Sequence, residues 1–165
     1  MDGIFADQSG WYSAGHMICA LAITVLYIIG RWKMFQKAGQ HGWGAIVPFY
    51  NIYLDYKIAW GSGTAFFVTL ILTVLAGFTR NFYDTNGSTM LSYVMLIVAA
   101  MAGIALIVIA IMLNVRMARA FGHGIGFAAG LIFLNVVFVI IIGFGSAKYI
   151  GPNGVPGDGP DRPLG

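Results

Sequence analysis

Long apolar runs, separated by short polar or glycine-bearing breaks, dominate the chain and predict a series of helices. The runs cover residues 13–30, 64–78, 91–113 and 125–144. A helix needs about 20 apolar residues to cross a hydrocarbon core of about 30 Å, so we expect one span from each run. The run that begins at Leu91 continues to Phe121. It predicts a long helix whose last two turns leave the hydrocarbon and which ends at Gly122.

The segment from Gly42 to Trp60, GWGAIVPFYNIYLDYKIAW, is apolar but does not have the pattern of a simple span. The stretch between Gly44 and Gly61 has 16 residues, which is at the short limit for crossing a bilayer. Pro48 lacks an amide proton and disturbs the preceding helical turn. We therefore expect a re-entrant or interfacial helix here, and five complete spans are the alternative.

The basic residues give an orientation if this segment only re-enters. Four spans then place six of the nine basic residues at one end, namely Arg31, Lys33, Lys37, Lys57, Arg116 and Arg119. The positive-inside rule makes that end cytoplasmic, and both termini are then outside. Five spans would divide these charges between the two sides and cancel the signal.

The composition supports a membrane protein. Apolar residues make up 59% of the chain and charged residues 9%, with a mean hydropathy of +0.81, whereas soluble domains carry about 25% charged residues. The isoelectric point near 9.1 does not indicate nucleic-acid binding, because most basic residues flank apolar runs as orienting loops do. We predict an all-α polytopic membrane protein with four transmembrane helices and one re-entrant or interfacial helix.

The end of the chain differs in composition from the rest. Residues 151–165, GPNGVPGDGPDRPLG, contain four of the five prolines. Such a segment cannot bury a core, so we expect it to be disordered. Residues 1–150 are expected to form a single membrane helical domain.

Asp55 is the most informative polar residue, because a carboxylate at membrane depth is costly unless it is paired or hydrated. Asn51 lies one turn earlier on the same helix face and can donate a hydrogen bond to it. We expect a salt bridge from Asp55 to Arg116 or Arg119 that pins this helix to the long helix after Leu91. A proton or cation site, and simple exposure to solvent, are the alternatives.

Small residues four positions apart predict close helix packing in lipid. They are Ala99 with Gly103, and the series Gly122, Gly126 and Gly130. The histidines are isolated from other metal ligands, and the sequence has no spacing of serine, lysine, histidine or paired carboxylates that indicates hydrolysis. We therefore expect no enzymatic activity, no cofactor and no metal site.

A motif extends from the first basic loop into the segment around Pro48. It reads F-Q-K-A-G, then G-W, then I-V-P-F-Y-N, and it includes Lys37, Ala38, Gly39, Gly42, Trp43, Pro48, Tyr50 and Asn51. With a later pattern over residues 118–122 and 143–152, it resembles a family of small bacterial multi-pass membrane proteins of unknown function. The resemblance covers residues 31–152. It implies a location in the bacterial plasma (inner) membrane.

A similar module precedes the catalytic domain of some bacterial signal peptidases. No such domain follows here, so the resemblance implies no peptidase activity. Asp55 lies where many relatives are apolar, which argues against a role for it throughout the family.

These observations predict a non-catalytic membrane protein that acts as an accessory or scaffolding subunit of a larger membrane complex. Its expected partners are the lipid bilayer and other membrane subunits or copies of itself, and not nucleic acid. The alternative is a small oligomeric transporter or channel that uses Asn51 and Asp55.

Overall fold

The computed structural model describes residues 8–86 and 89–156, and within these ranges it contains helices and no strand. The predicted all-α class is therefore confirmed. The α-helices are α1 (Gln8–Lys37), α2 (Tyr50–Trp60), α3 (Thr64–Asn86), α4 (Met90–Ala120), α5 (Ile125–Phe133) and α6 (Asn135–Phe144). Short 3₁₀ helices cover Gly42–Ala45 and Pro152–Gly154.

Three of the described helices, α1, α3 and α4, are long and apolar enough to cross a membrane. The helix α4 has 31 residues and rises about 46 Å, so it is longer than the hydrocarbon core, as the sequence predicts. At its start, the Thr89 hydroxyl accepts a hydrogen bond from the Ser92 amide at 3.2 Å and caps the helix. Its chain turns at Gly122, where φ is +76°.

The helices α3 and α4 form one long antiparallel pair, whereas most of α1 stands apart from it. The close packing of α3 on α4 involves small buried side chains, namely Thr79, Ser92 and Ala102. In contrast, every residue of α1 from Gly15 to Leu26 is exposed. Residues 15–26 of α1 are therefore not packed into the pair of α3 and α4.

The span expected over residues 125–144 is wrong, because this run is divided into α5 and α6 at Leu134 (φ −128°, ψ 47°). The two helices have 9 and 10 residues and rise about 14 and 15 Å, too little to cross a bilayer. Residues eleven apart in a continuous helix are about 16 Å apart along its axis, but the rings of Phe127 and Phe138 lie 4.7 Å apart. The run therefore folds back on itself as a helical hairpin.

The hairpin returns to the end of the molecule from which it started. The amide of Ile150 donates to the carbonyl of Ala120 at 2.8 Å, and α6 packs along the last turns of α1. Gly130 makes the fold-back possible, since a Cβ there would clash with the Phe138 ring. Gly143 lies in a similarly close contact with Gly30 of α1.

The segment around Pro48 forms a short helix rather than a span. A turn over residues 46–49 precedes α2, which has 11 residues and rises about 16 Å. Phe49 adopts a φ of +65° before the helix, and Gly61 ends the helix at +74°. The alternative of five spans therefore has no support in this geometry, and α2 fits the expected re-entrant or interfacial helix.

These short elements form what we call the basal layer, which comprises residues 42–60, 125–144 and 149–154. The largest fully buried apolar side chains of the protein lie here and on the last turns of α1: Met34, Phe35, Leu54, Ile58, Leu131 and Ile142. The core therefore sits at one end of the molecule, where α1, α2, α4, α5 and α6 converge.

The basal layer also gathers charge. Because residues 125–144 fold back, Lys148 joins the six basic residues predicted at this end, while Arg80 lies toward the other end of α3. The beginning of α1 and residues 150–156 are at opposite ends of the molecule. The two termini themselves, which are expected on one side, lie outside the described residues.

The expectation of disorder from Gly151 onward is wrong for the first residues of this segment. Pro152 is buried, and a Cβ on Gly154 would meet the carbonyl of Arg119 on α4. Residues 151–154 therefore pack on the end of α4, and residues 157–165 lie outside the described part of the chain.

Candidate functional site

Arg31 is the centre of a polar network inside the basal layer. It lies nearly two turns before the end of α1 and its side chain is 8% exposed. Its Nη2 donates to Asp55 Oδ2 at 2.7 Å and also to Asn51 Oδ1. Its guanidinium carbon lies 5.1 Å from the ring centroid of Phe35. One guanidinium therefore connects α1 to two positions on α2.

Asn51 and Asp55 lie one turn apart, as their spacing predicts, and both face Arg31. Asn51 also donates from Nδ2 to the carbonyl of Ala45 at 3.2 Å, which ties α2 to the preceding 3₁₀ turn. Asp55 is largely buried, with 16% of its side chain exposed. Burial raises the pKa of the Asp55 carboxyl above its usual range, and the neighbouring Arg31 guanidinium partly offsets this effect.

The network continues from Arg31 to the hairpin of α5 and α6. Arg31 Nη1 donates to the Tyr27 hydroxyl at 3.1 Å, and that hydroxyl donates to Asn135 Oδ1 at 3.1 Å. Asn135 is the first residue of α6 and its Nδ2 donates to the carbonyl of Leu131 at 3.4 Å. The network therefore joins α1, α2 and the bend between α5 and α6.

The predicted partners of Asp55 are wrong. Arg116 places its guanidinium carbon 4.9 Å from the ring centroid of Trp60, at the opposite end of α2 from Asn51. Arg119 is exposed on the last turn of α4. Asp55 pairs instead with Arg31 because α2 packs on α4 with its Asn51–Asp55 face turned toward the Arg31 side chain of α1.

A cavity of about 130 Å³ adjoins the ion pair. It is lined by Arg31, Met34, Asp55, Leu113, Asn114, Met117, Leu131, Asn135 and Val139. Among the described residues, Arg31 Nε and Asp55 Oδ1 are buried without a hydrogen-bond partner. A polar cavity of this volume has room for several water molecules, which these two atoms are suited to bind.

The motif residues that carry the family resemblance build the junction between α1 and α2. Ala38 is buried and Gly39 ends α1 with a φ of +68°. Gly42 packs against the ring of Trp32 so closely that no Cβ fits. Trp43 stacks on Tyr50 with ring centroids 5.0 Å apart.

Two further motif residues, Pro48 and Lys37, lie outside this junction. Pro48 lies in the turn before α2, and its carbonyl accepts a hydrogen bond from the Tyr50 amide at 2.8 Å. Lys37 bonds to the end of α6, where its Nζ donates to the carbonyls of Ile142 and Gly145 at 2.7 and 2.6 Å. The motif is therefore a structural signature of the basal layer.

The small residues singled out in the sequence have unequal roles. Gly130 permits contact between α5 and α6, and Gly122 ends the turn after α4. A Cβ on Gly103 or Gly126 would meet no other atom within 4 Å, and Ala99 is half-buried. The spacing alone did not distinguish contact residues from open ones.

Sequence reasoning missed Arg31, Tyr27 and Asn135. Arg31 was counted among the orienting charges, although it follows Tyr27 by one helical turn inside an apolar run. An arginine with a tyrosine one turn earlier, within a span, was the available signal. Asn135 was the polar residue inside the last apolar run, and it marks the bend.

The arrangement can hold helices together and retain water. The described residues contain no group of three or more histidine, cysteine, aspartate or glutamate side chains that could hold a metal ion. Arg31 and Asp55 neutralise each other at 2.7 Å. The site is therefore best described as a buried ion pair that borders a small polar cavity.

A family described as "Family of unknown function (DUF5684)" matches residues 43–152, which is 110 of the 165 residues. The matched region begins at Trp43, contains α2 to α6 and ends at Pro152, the first residue of the second 3₁₀ helix. Comparison with curated proteins and with solved structures returned no match.

Proposed function

We propose that the chain, which belongs to this family of unknown function, is a non-catalytic accessory or scaffolding subunit of a larger membrane complex. The observation that carries the proposal is the exposed first part of α1. From Gly15 to Leu26 every residue of this helix is exposed, and α1 packs on α6 rather than on α3 or α4.

The exposed part of α1 has the chemistry of a helix-binding face. It bears Gly15, Cys19 and Ala22 among larger apolar residues, and small residues allow other membrane helices to approach closely. His16 is exposed in the same segment. A polar side chain in lipid is stabilised when a neighbouring helix supplies a hydrogen-bond partner.

The topology that fits this proposal has three spans. The helices α1, α3 and α4 cross the bilayer, and α2 and the α5–α6 hairpin enter it from the basal side. That side carries Lys148 and the six basic residues named above, which makes it cytoplasmic by the positive-inside rule. The resemblance adds a bacterial inner membrane as the location.

Site-specific photocrosslinking tests the proposal. A benzophenone amino acid at Leu21 of α1 is compared with one at Ile71 of α3, because these side chains are equally exposed at 68% and 66%. We expect a discrete adduct with a different membrane protein from position 21 in intact cells, and a weaker one or none from position 71. An adduct only with a second copy, or no protein adduct from position 21, would overturn the accessory role.

A second candidate function is transport by an oligomer, and the cavity beside Arg31 and Asp55 favours it. A buried carboxylate oxygen without a partner, next to space for water, is a feature of proton and cation pathways. The test is proton or sodium uptake by liposomes that contain the purified protein. Transport is supported if the Asp55→Asn variant shows no uptake while the Lys148→Gln variant takes up the ion normally. Equal uptake by the two variants excludes a role for Asp55.

A further inference from the structure

Two lysines meet at the basal end of the groove between α1 and α6. Lys33, Gln36 and Lys37 of α1 line an open hollow of about 480 Å³ together with Gly143, Phe144 and Gly145. Lys33 Nζ lies 4.2 Å from the ring centroid of Phe144. The ammonium of Lys33 is thus held over the hollow and remains exposed to what enters it.

Lys37 is fixed in the same hollow by the end of α6. Its Nζ donates to the carbonyls of Ile142 and Gly145, which are acceptors left free at a helix C-terminus. An ammonium has three N–H donors, so one remains for a further acceptor. Gln36 adds an exposed amide between the two lysines.

The hollow has no anionic side chain of its own. Among the residues whose side chains the structure describes, 15–82 and 89–156, Asp55 is the sole acidic residue, and it pairs with Arg31 inside the protein. The charges of Lys33 and Lys37 are therefore uncompensated by the described residues. The hollow favours an anion.

Apolar stripes lead from this hollow toward the middle of the bilayer. On α1, Ile29 and Leu26 precede Lys33 by about one and two turns and are 41% and 48% exposed. On α6, Ile141 and Val137 precede Phe144 in the same way and are 43% and 49% exposed. The helices α1 and α6 run parallel to each other toward the basal end. The two stripes therefore border one groove, and the ammonium groups of Lys33 and Lys37 lie at its opening.

We propose that this groove binds an anionic phospholipid of the leaflet at the basal end. The phosphodiester is recognised by Lys33, by the free N–H of Lys37 and by Gln36, and the acyl chains lie along the two apolar stripes. A basic pocket between membrane helices has the chemistry of an anionic headgroup site. The site does not depend on the proposed accessory role, since no residue of a partner takes part.

The test uses the full chain in detergent and native mass spectrometry with phosphatidylglycerol and phosphatidylcholine of identical acyl chains. We expect preferential retention of phosphatidylglycerol. Lys33→Gln is expected to weaken that retention about fivefold, because one lysine near the surface contributes about 1 kcal/mol to anionic-lipid binding. Lys33→Arg should keep it.

Lys148→Gln is the matched control, since Lys148 is another exposed lysine at the basal end. It should leave retention unchanged. Equal retention of the two lipids, or equal loss in the Lys33→Gln and Lys148→Gln variants, would overturn the proposal. Inorganic phosphate at millimolar concentration separates the sources: failure to displace the lipid supports a lipid site, and complete displacement would point to a free-phosphate site instead.

Discussion

The sharpest test of the candidate site is a double-mutant cycle on the buried ion pair of Arg31 and Asp55. The variants are Arg31→Met, Asp55→Leu and the double substitution. Methionine keeps an unbranched chain along the path of the arginine. Leucine at position 55 can extend into the adjoining cavity of about 130 Å³.

The magnitude follows from the geometry of the pair. At 2.7 Å between Nη2 and Oδ2, Coulomb attraction amounts to about 6 kcal/mol at an effective dielectric constant of about 20. Desolvation of each ion opposes it by several kcal/mol, and removal of one partner leaves the other buried and unpaired, which costs about 3–5 kcal/mol. Each single variant should therefore lose about that much unfolding free energy.

The double variant should be more stable than either single variant, because both charges leave the interior together. Apolar replacement of a whole buried pair is often neutral or stabilising. Here Asn51 and Tyr27 also lose their contact with the guanidinium, so we expect a net loss of about 1–2 kcal/mol. The two single losses together amount to about 6–10 kcal/mol, so the coupling energy of the cycle is about 4 kcal/mol or more.

The assay is reversible unfolding by SDS in mixed micelles, followed by circular dichroism. Lys57→Met is the control on the same helix. Since Lys57 has no side-chain partner among the described residues, it should change the unfolding free energy by less than about 0.5 kcal/mol. Additive losses in the double variant, or a wild-type stability for Asp55→Leu, would refute the interpretation of this pair as a structural pin.

The remaining predictions concern the hairpin, the topology and the end of α2. Gly130→Ala should destabilise the protein by about 1–3 kcal/mol through overpacking, whereas Gly126→Ala should be neutral or slightly stabilising because its Cβ meets no atom; thermal unfolding in detergent compares them. Single cysteines replacing His41 and Ser146 in a cysteine-free background should react with an impermeant maleimide from the same side of the membrane, and labelling from opposite sides would restore the four-span topology. Trp60→Leu removes the ring beneath a guanidinium of α4 and should cost about 1–2 kcal/mol; an unchanged melting temperature would argue against that contact.

Hydropathy predicted the long helices because a span is defined by length and composition. It failed at residues 125–144, where a bend and a continuous helix have the same mean hydropathy. The bend depends on Gly130, which leaves space for a ring, and on Asn135, whose amide bonds to Tyr27 of another helix. The space at Gly130 is filled by Phe138 from the other arm of the hairpin. Asn135 needs a partner 108 residues away. Neither has a local signature.

The candidate site could be predicted only in part, because it too depends on contacts between distant elements. The spacing of Asn51 and Asp55 places them on one helix face whatever surrounds them. Which arginine faces them depends on how α2 lies between α1 and α4. That orientation is set by the close contacts of Gly42 and Gly44 with Trp32 and Leu54, which are tertiary contacts.

The distribution of polar contacts connects this structure to the proposed accessory role. The interhelical polar contacts described here, including the ion pair and the Lys37 bonds to α6, lie in or beside the basal layer, which fixes α2, α5 and α6 against α1 and α4. Among residues 15–26 of α1 the structure shows no such contact, and the Thr24 hydroxyl bonds to its own backbone at Ala20. A protein with one well-fixed end therefore presents a separate apolar helix in the bilayer.

Because lipid supplies no hydrophobic drive for helices to associate, specific binding to α1 has to come from shape and from polar groups such as His16. That requirement is why the adduct from Leu21, within about two turns of His16, discriminates a dedicated partner from bulk lipid.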